Sequence, residues 1–253
     1  MTEFLPVSSS GHLVLVQRLL DIGSPGVSLE VAAHAGTLVA ILLVYGRDVL
    51  AIASAFLTGL FIPERRAHRD FRMAVMVILG SIPAAGVGVI FKGAIEKAFE
   101  SPFAAGVGLL ATGAILYSAP GRARRVRGGV PDVGTALWVG IAQAVSILPG
   151  ISRSGATISA GLASGLPRED AARFSFLLAI PAVLGAMLLE LVHLPAGSLA
   201  SVEATATVAA SSLISGLIAL RVLLRFVKAG NLRPFAWYCW VVGAIALVLS
   251  AAR

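Results

Sequence analysis

Apolar residues dominate this chain in long blocks that short polar stretches interrupt, and those interruptions divide it into elements. A first run, Leu13 to Leu20, is too short to span a bilayer. Leu29 to Tyr45 is a span, closed by Gly46-Arg47-Asp48, and residues 49–62 are apolar enough to lie on the membrane or dip into it. Phe71 to Phe91, with Pro83 set to kink it, and Phe103 to Ser118 are the next spans. Arg173 to Val192, Thr205 to Phe226 and Pro234 to Ala252 complete six. Gly134 to Leu148 and Ser152 to Gly165 are different. At 14 to 15 residues each arm covers about 22 Å, short of a ~30 Å hydrocarbon core, so the pair predicts a re-entrant hairpin.

Composition agrees. Of 253 residues 57% are hydrophobic and only 13% charged, against roughly a quarter charged in soluble domains; mean hydropathy is +0.91. The fold class is an all-α integral membrane protein. The single cysteine, Cys239, can form no internal disulfide, and the chain opens on a polar motif with no cleavable signal sequence in view.

The net charge of +7 is positioned by topology rather than by a nucleic acid. Arg47 to Arg72 holds five arginines; residues 122–127 and 221–233 are also basic, whereas 92–101 is charge-balanced and 193–204 has no Lys or Arg. Basic connections belong in the cytoplasm. Satisfying that alternation requires the hairpin at 134–165 to return to its own side, and it places residues 1–20 outside. The expected architecture is a polytopic bundle of two inverted-topology repeats, each a re-entrant hairpin plus three spans. Residues 1–118 form the first, 134–253 the second, and 119–133 the basic link. Broken helices meeting near the midplane of such repeats are a known plan for intramembrane sites.

The candidate chemistry lies in two matching stretches. Glu3-Phe4-Leu5-Pro6-Val7-Ser8-Ser9-Ser10-Gly11-His12 is echoed by Leu148-Pro149-Gly150-Ile151-Ser152-Arg153-Ser154-Gly155, with one extra residue after the second proline. In each, serines can cap the helix that follows, so two helix N-termini offer N–H groups and dipoles to an anion, and Arg153 adds a planar cation. The negative partner of Arg153 is a phosphate or, competing with it, Glu3. His12, three residues after Ser9, can share that hydroxyl's helical face, and hydroxyl plus imidazole is the minimum for an activated nucleophile. Glu3 could hold a divalent cation or orient His12. Ser8, Ser152, Ser154 and Gly155 line the turns. His34 stands between a helix contact and a supporting role, Glu30 is undecided, and Glu190 is expected at the interface.

These stretches, with Phe174-Ser175-Phe176-Leu177-Leu178-Ala179-Ile180-Pro181 and the span order, resemble the bacitracin-resistance type undecaprenyl-diphosphatase family along essentially the whole chain. The resemblance implies hydrolysis of undecaprenyl diphosphate to the monophosphate and phosphate. That reaction recycles the carrier lipid of peptidoglycan synthesis at the outer face of the bacterial inner membrane. It implies Ser9 as nucleophile with His12 its partner, Glu3 as the second carboxylate of a metal-associated E-x-x-x-E motif taking Mg or Ca, Arg153 on the diphosphate with Ser8 and Ser152 beside it, and a polyprenyl diphosphate lipid in the bilayer as partner; a homodimer is left open. The first glutamate of that motif would fall four residues before Glu3, ahead of Met1. Counting nine back from Ser8, as Gln143 stands before Ser152, lands on the same place. The first hairpin is therefore expected to be reduced to its C-terminal arm, with an apolar helix supplied by an upstream extension. Two other classes compete. A secondary transporter or lipid-phosphate flippase suits inverted repeats equally well. An acid-phosphatase-like membrane enzyme would need a histidine six residues after the arginine, where this chain has Ser159.

Overall fold

A computed structural model describes residues 2–20, 27–120, 129–192 and 200–251. The described residues form ten α-helices and one 3-10 turn, with no strand among them. In order they are α1 (Ser9–Leu20), α2 (Val27–Phe61), the 3-10 turn Pro63–Ala67, α3 (Arg69–Ile90), α4 (Lys92–Phe99), α5 (Pro102–Ser118), α6 (Val133–Val145), α7 (Arg153–Ala163), α8 (Arg168–Val192), α9 (Val202–Ala229) and α10 (Arg233–Ala251). The basic stretch 122–127 and most of 193–204 lie outside the described residues.

The helix ends are chemically explicit. Ser101, Asp132, Ser152 and Ser201 each accept a hydrogen bond from the backbone N–H three residues on, opening α5, α6, α7 and α9. Pro102 occupies the first turn of α5, where its missing N–H costs nothing. Gly230 ends α9 in the left-handed region (φ 69°), which lets its N–H and that of Asn231 turn back onto the carbonyls of Val227 and Phe226.

Five helices, α2, α3, α8, α9 and α10, are long and apolar enough to cross a bilayer; α4 and α5, bent by 96° at their junction, make a sixth crossing if taken as one broken span. The chain is a multi-span membrane protein. By contrast α6 and α7 have 13 and 11 residues, about 20 and 17 Å, and pack against each other. Neither reaches across a ~30 Å core, as expected of a hairpin.

One expectation needs correction. The first span does not stop at Gly46-Arg47-Asp48: α2 continues without a break to Phe61, 35 residues in all. One glycine inside a helix costs only about 1 kcal/mol, and Asp48 is neutralised by Arg173 of α8, 125 residues away. The charge-balanced connection 92–101 is mostly helical, forming α4.

The larger core cluster gathers Phe4 and Val7 from the N-terminal turn with residues of α2, α5, α7, α8, α9 and α10. Phe4 is 1% exposed and meets the Phe176 ring edge-on at 5.9 Å. The N-terminal turn is thereby a packed part of the bundle, which fixes where its polar residues stand.

Candidate active site

The two hydroxyl-rich turns fold alike and touch. In the first, Ser8 Oγ accepts from the Gly11 N–H at 3.2 Å and lies 3.1 Å from Ser10 Oγ. In the second, Ser152 Oγ accepts from the Gly155 N–H at 3.2 Å and lies 3.3 Å from Ser154 Oγ. Both capping serines are 3% exposed. The second turn has its extra residue, Gly150, in the left-handed region (φ 86°); the first, lacking it, puts Ser8 there instead (φ 63°). A serine in that conformation is strained. The contact between the turns is reciprocal: a Cβ on Gly11 would stand 2.9 Å from Gly150 Cα, and one on Gly155 would stand 3.3 Å from Pro6 Cβ.

Glu3 is the hinge of the arrangement. Its Oε1 accepts from Nη2 of Arg153 at 2.7 Å, and its Oε2 accepts from the Ser9 hydroxyl at 2.6 Å. Both bonds engage a charged group and fall in the short range of charge-assisted pairs. The side chains of Arg153 and Glu3 are 20% and 23% exposed, so the pair is largely shielded without being sealed. Burial works to raise the Glu3 carboxyl; Arg153 and the Ser9 hydroxyl outweigh it and hold the group below the usual carboxylate range. Glu3, Ser9 and Arg153 therefore meet on one carboxylate, although the two turns are far apart in the chain.

His12 does not join them. Its Nδ1 lies 2.7 Å from the Ser8 carbonyl oxygen and its Nε2 2.8 Å from the hydroxyl of Tyr238, whose ring stacks on it at 5.6 Å. Both ring nitrogens are engaged away from Ser9, whose hydroxyl points to Glu3. The expected hydroxyl–imidazole pair is thus replaced by a hydroxyl–carboxylate pair. The helix spacing allowed the former; a carboxylate six residues back along the folded turn offered Ser9 a nearer acceptor.

Three contributors were missed in the sequence. Thr112 of α5, 1% exposed, donates to the Gly150 carbonyl at 2.8 Å and accepts from the Ser152 N–H at 2.9 Å, pinning the second turn from both sides. Thr157, one turn after Arg153, shares a 2.6 Å hydrogen bond with Ser175 of α8. Tyr238 holds His12. Thr112 and Tyr238 sit in apolar runs with distant partners, and Thr157, in the polar stretch after Ser152, has its partner Ser175 on another helix. Glu190, two residues from the end of α8, has its Oε2 3.6 Å from Nδ1 of His34.

The described residues contain no group of three His, Cys, Asp or Glu side chains able to cage a metal ion. Mg²⁺ is commonly held by one or two protein carboxylates together with substrate phosphates, and Glu3 meets the lower end of that requirement.

Comparison with known proteins covers nearly all of the chain. The model of the family described as bacitracin resistance protein BacA matches residues 1–245. The chain is similar to an undecaprenyl-diphosphatase of Desulforapulum autotrophicum, 42% identical over 260 residues that cover 98% of this chain and 93% of that protein. It is also similar to proteins of the same name from Desulfatibacillum aliphaticivorans (43% over 262 residues, 99% and 94%) and Korarchaeum cryptofilum (42% over 253 residues, 98% and 94%).

Proposed function

Since the chain belongs to the family of bacitracin resistance protein BacA, we propose that it hydrolyses undecaprenyl diphosphate to undecaprenyl phosphate and inorganic phosphate, returning the carrier lipid to cell-wall synthesis. The observation that carries this reading is the single carboxylate of Glu3 shared by Ser9 and Arg153 at the junction of two helix N-termini. A nucleophile and a guanidinium within reach of one small anion are what phosphoryl transfer from a diphosphate requires.

In the proposed course, the diphosphate settles on the N–H groups opening α1 and α7, and Arg153 turns its unshared N–H groups onto phosphate oxygens. Ser9 Oγ attacks the terminal phosphorus as its proton passes to Glu3 Oε2. The bond from phosphorus to the bridging oxygen breaks, and undecaprenyl phosphate leaves with the electron pair. Water then attacks the phosphoserine; Glu3 returns its proton to Ser9 Oγ, the second proton of the water goes to solvent, and inorganic phosphate departs. A divalent cation, Mg²⁺ or Ca²⁺, arriving with the diphosphate and met by Glu3, would neutralise phosphate charge.

The same reading has the enzyme work at the outer face of a bacterial inner membrane. The matching hydrogen bonds of the two turns support the division into two related repeats, residues 1–118 and 134–253.

The test is phosphate release from undecaprenyl diphosphate by the purified protein in detergent. Release by the wild type and its loss in Ser9→Ala are expected; no phosphate released by the wild type would overturn the reading.

A further inference from the structure

His12 sits in a hydrogen-bond chain whose proton positions follow from chemistry alone. The Ser8 carbonyl can only accept, so Nδ1, 2.7 Å away, must carry the proton. In the neutral ring Nε2 is then a bare acceptor, and the Tyr238 hydroxyl 2.8 Å from it must be the donor. The Ser8 carbonyl already receives the His12 backbone N–H at 3.3 Å, so the ring adds a second, shorter bond to the same oxygen.

That oxygen belongs to the most constrained residue of the turn. Among the described residues Ser8 is the one non-glycine with positive φ, and it precedes Ser9 directly. A conformation of this kind persists only when its surroundings over-determine it. With the proton on Nε2 instead, the Nδ1 lone pair would face the carbonyl lone pairs at 2.7 Å, and the restraint on Ser8 would become a repulsion.

Tyr238 is itself held in place beside the turn. Its neighbour Cys239 is 0% exposed with its thiol 3.7 Å from the Pro6 carbonyl, and Trp240 donates to the Leu110 carbonyl of α5 at 3.2 Å. The ring planes of His12 and Tyr238 are 6° from parallel. α10 therefore brings the phenol, from a residue that is 46% exposed, to His12 across 226 residues of chain.

We propose that Tyr238 is a positioning residue for the hydrolysis: its hydroxyl and the Ser8 carbonyl together keep His12 as the Nδ1–H tautomer, and that ring holds the left-handed Ser8 turn that aims Ser9 at Glu3. The proposal rests on the hydrolytic reading above and assigns His12 to orienting the turn rather than to taking the proton of Ser9.

The test pairs a spectrum with kinetics in the full-length protein. Long-range ¹H–¹⁵N spectra of histidine-labelled protein in detergent, with His12 assigned by loss of its signals in His12→Gln, should show wild-type His12 protonated at Nδ1. Tyr238→Phe keeps the stacked ring and removes only the donor. It should give a mixture of tautomers and lower kcat by about tenfold, the scale of one lost hydrogen bond, with KM for undecaprenyl diphosphate changed less than about twofold. Tyr238→Ala should lower kcat further; if it fails to fold, the phenylalanine variant still decides. An Nε2–H ring in the wild type, or unchanged kcat in Tyr238→Phe, overturns the proposal. The tautomer is read without substrate, so its outcome is separate from whether the protein releases phosphate.

Discussion

Glu3 and Arg153 stand 150 residues apart in the chain and 2.7 Å apart in space. Their pairing closes the first turn onto the second and leaves the guanidinium half-engaged, with further N–H groups available to a phosphate. A lysine at this position offers one point charge and cannot span two oxygens. Arg153→Lys should therefore lower kcat/KM by about 100-fold or more, the cost of two charge-assisted hydrogen bonds at ~1.5 kcal/mol each. Near-normal turnover in that variant would make Arg153 a structural residue that merely secures Glu3.

The same pair has a defined pH signature. The Glu3 carboxyl is held below its ordinary value, about 4.3 in an unfolded chain. Its contribution to stability is therefore fully present above that unfolded value and is lost as pH falls through the lower, folded one. Thermal unfolding of wild type and Glu3→Gln should differ by a constant amount from about pH 6 to pH 8, with the gap closing in acid. A gap that instead changes across the neutral range would mean that Glu3 is protonated there, and the ionic pairing would be wrong.

What the sequence could show and what it could not follow the range of the interactions. The capping serines and the short hairpin arms were legible because each depends on neighbours a few residues away, and the convergence of the two turns because the two stretches repeat one another in the sequence. Glu3 as the competing partner of Arg153 was legible for a different reason, since a shielded guanidinium needs an anion and few were on offer. The continuation of α2 through Asp48 was hidden, because the charge that seemed to end the helix is neutralised by Arg173 from another helix. The orientation of His12 was hidden for the same reason. Helical spacing put it near Ser9, but Tyr238 and the Ser8 carbonyl decide where its nitrogens point.

Thr112 is the clearest case of a partner that only the fold reveals. Its hydroxyl is both donor and acceptor to the second turn, at the Gly150 carbonyl and the Ser152 N–H. Thr112→Val keeps the shape and strands both groups in a buried place, at about 1–3 kcal/mol each. The variant should unfold at lower temperature and bind undecaprenyl diphosphate more weakly, and Thr112→Ser should recover most of both. Equal stability of the valine variant and the wild type would show the turn to be held by other contacts.

Gly150 tests how tightly that turn is seated on α5. It combines φ 86° with a Cβ position 2.1 Å from the Ala105 carbonyl oxygen, and α5 answers with Gly108, whose Cβ would lie 2.2 Å from the Pro149 carbonyl oxygen. Backbone stands on both sides, so no side chain can rotate away to make room. Gly150→Ala should yield little folded protein in detergent by size-exclusion profile, and Gly108→Ala should behave alike. A well-folded Gly150→Ala protein with full activity would mean that the turn can lift off α5 without harm to the site.

Removal of divalent cations probes the remaining charge on the diphosphate. Both oxygens of Glu3 are engaged, one by Arg153 and one by Ser9, and no group of three metal-ligating side chains surrounds them among the described residues. A cation held by the protein alone would have one carboxylate, whereas a cation bound to the diphosphate brings phosphate oxygens with it. Chelation should therefore abolish hydrolysis, and Mg²⁺ or Ca²⁺ should restore it. Substrate-free protein should bind either ion only weakly by calorimetry. Glu3→Gln, which also removes the acceptor of the Ser9 proton, should lose hydrolysis at any cation concentration, and its affinity for the cation–diphosphate pair should fall by about tenfold, as expected for one lost ionic ligand worth ~1.4 kcal/mol. Hydrolysis at full rate in excess chelator would leave Arg153 and the two helix N-termini as the only stabilisers of the phosphate charge.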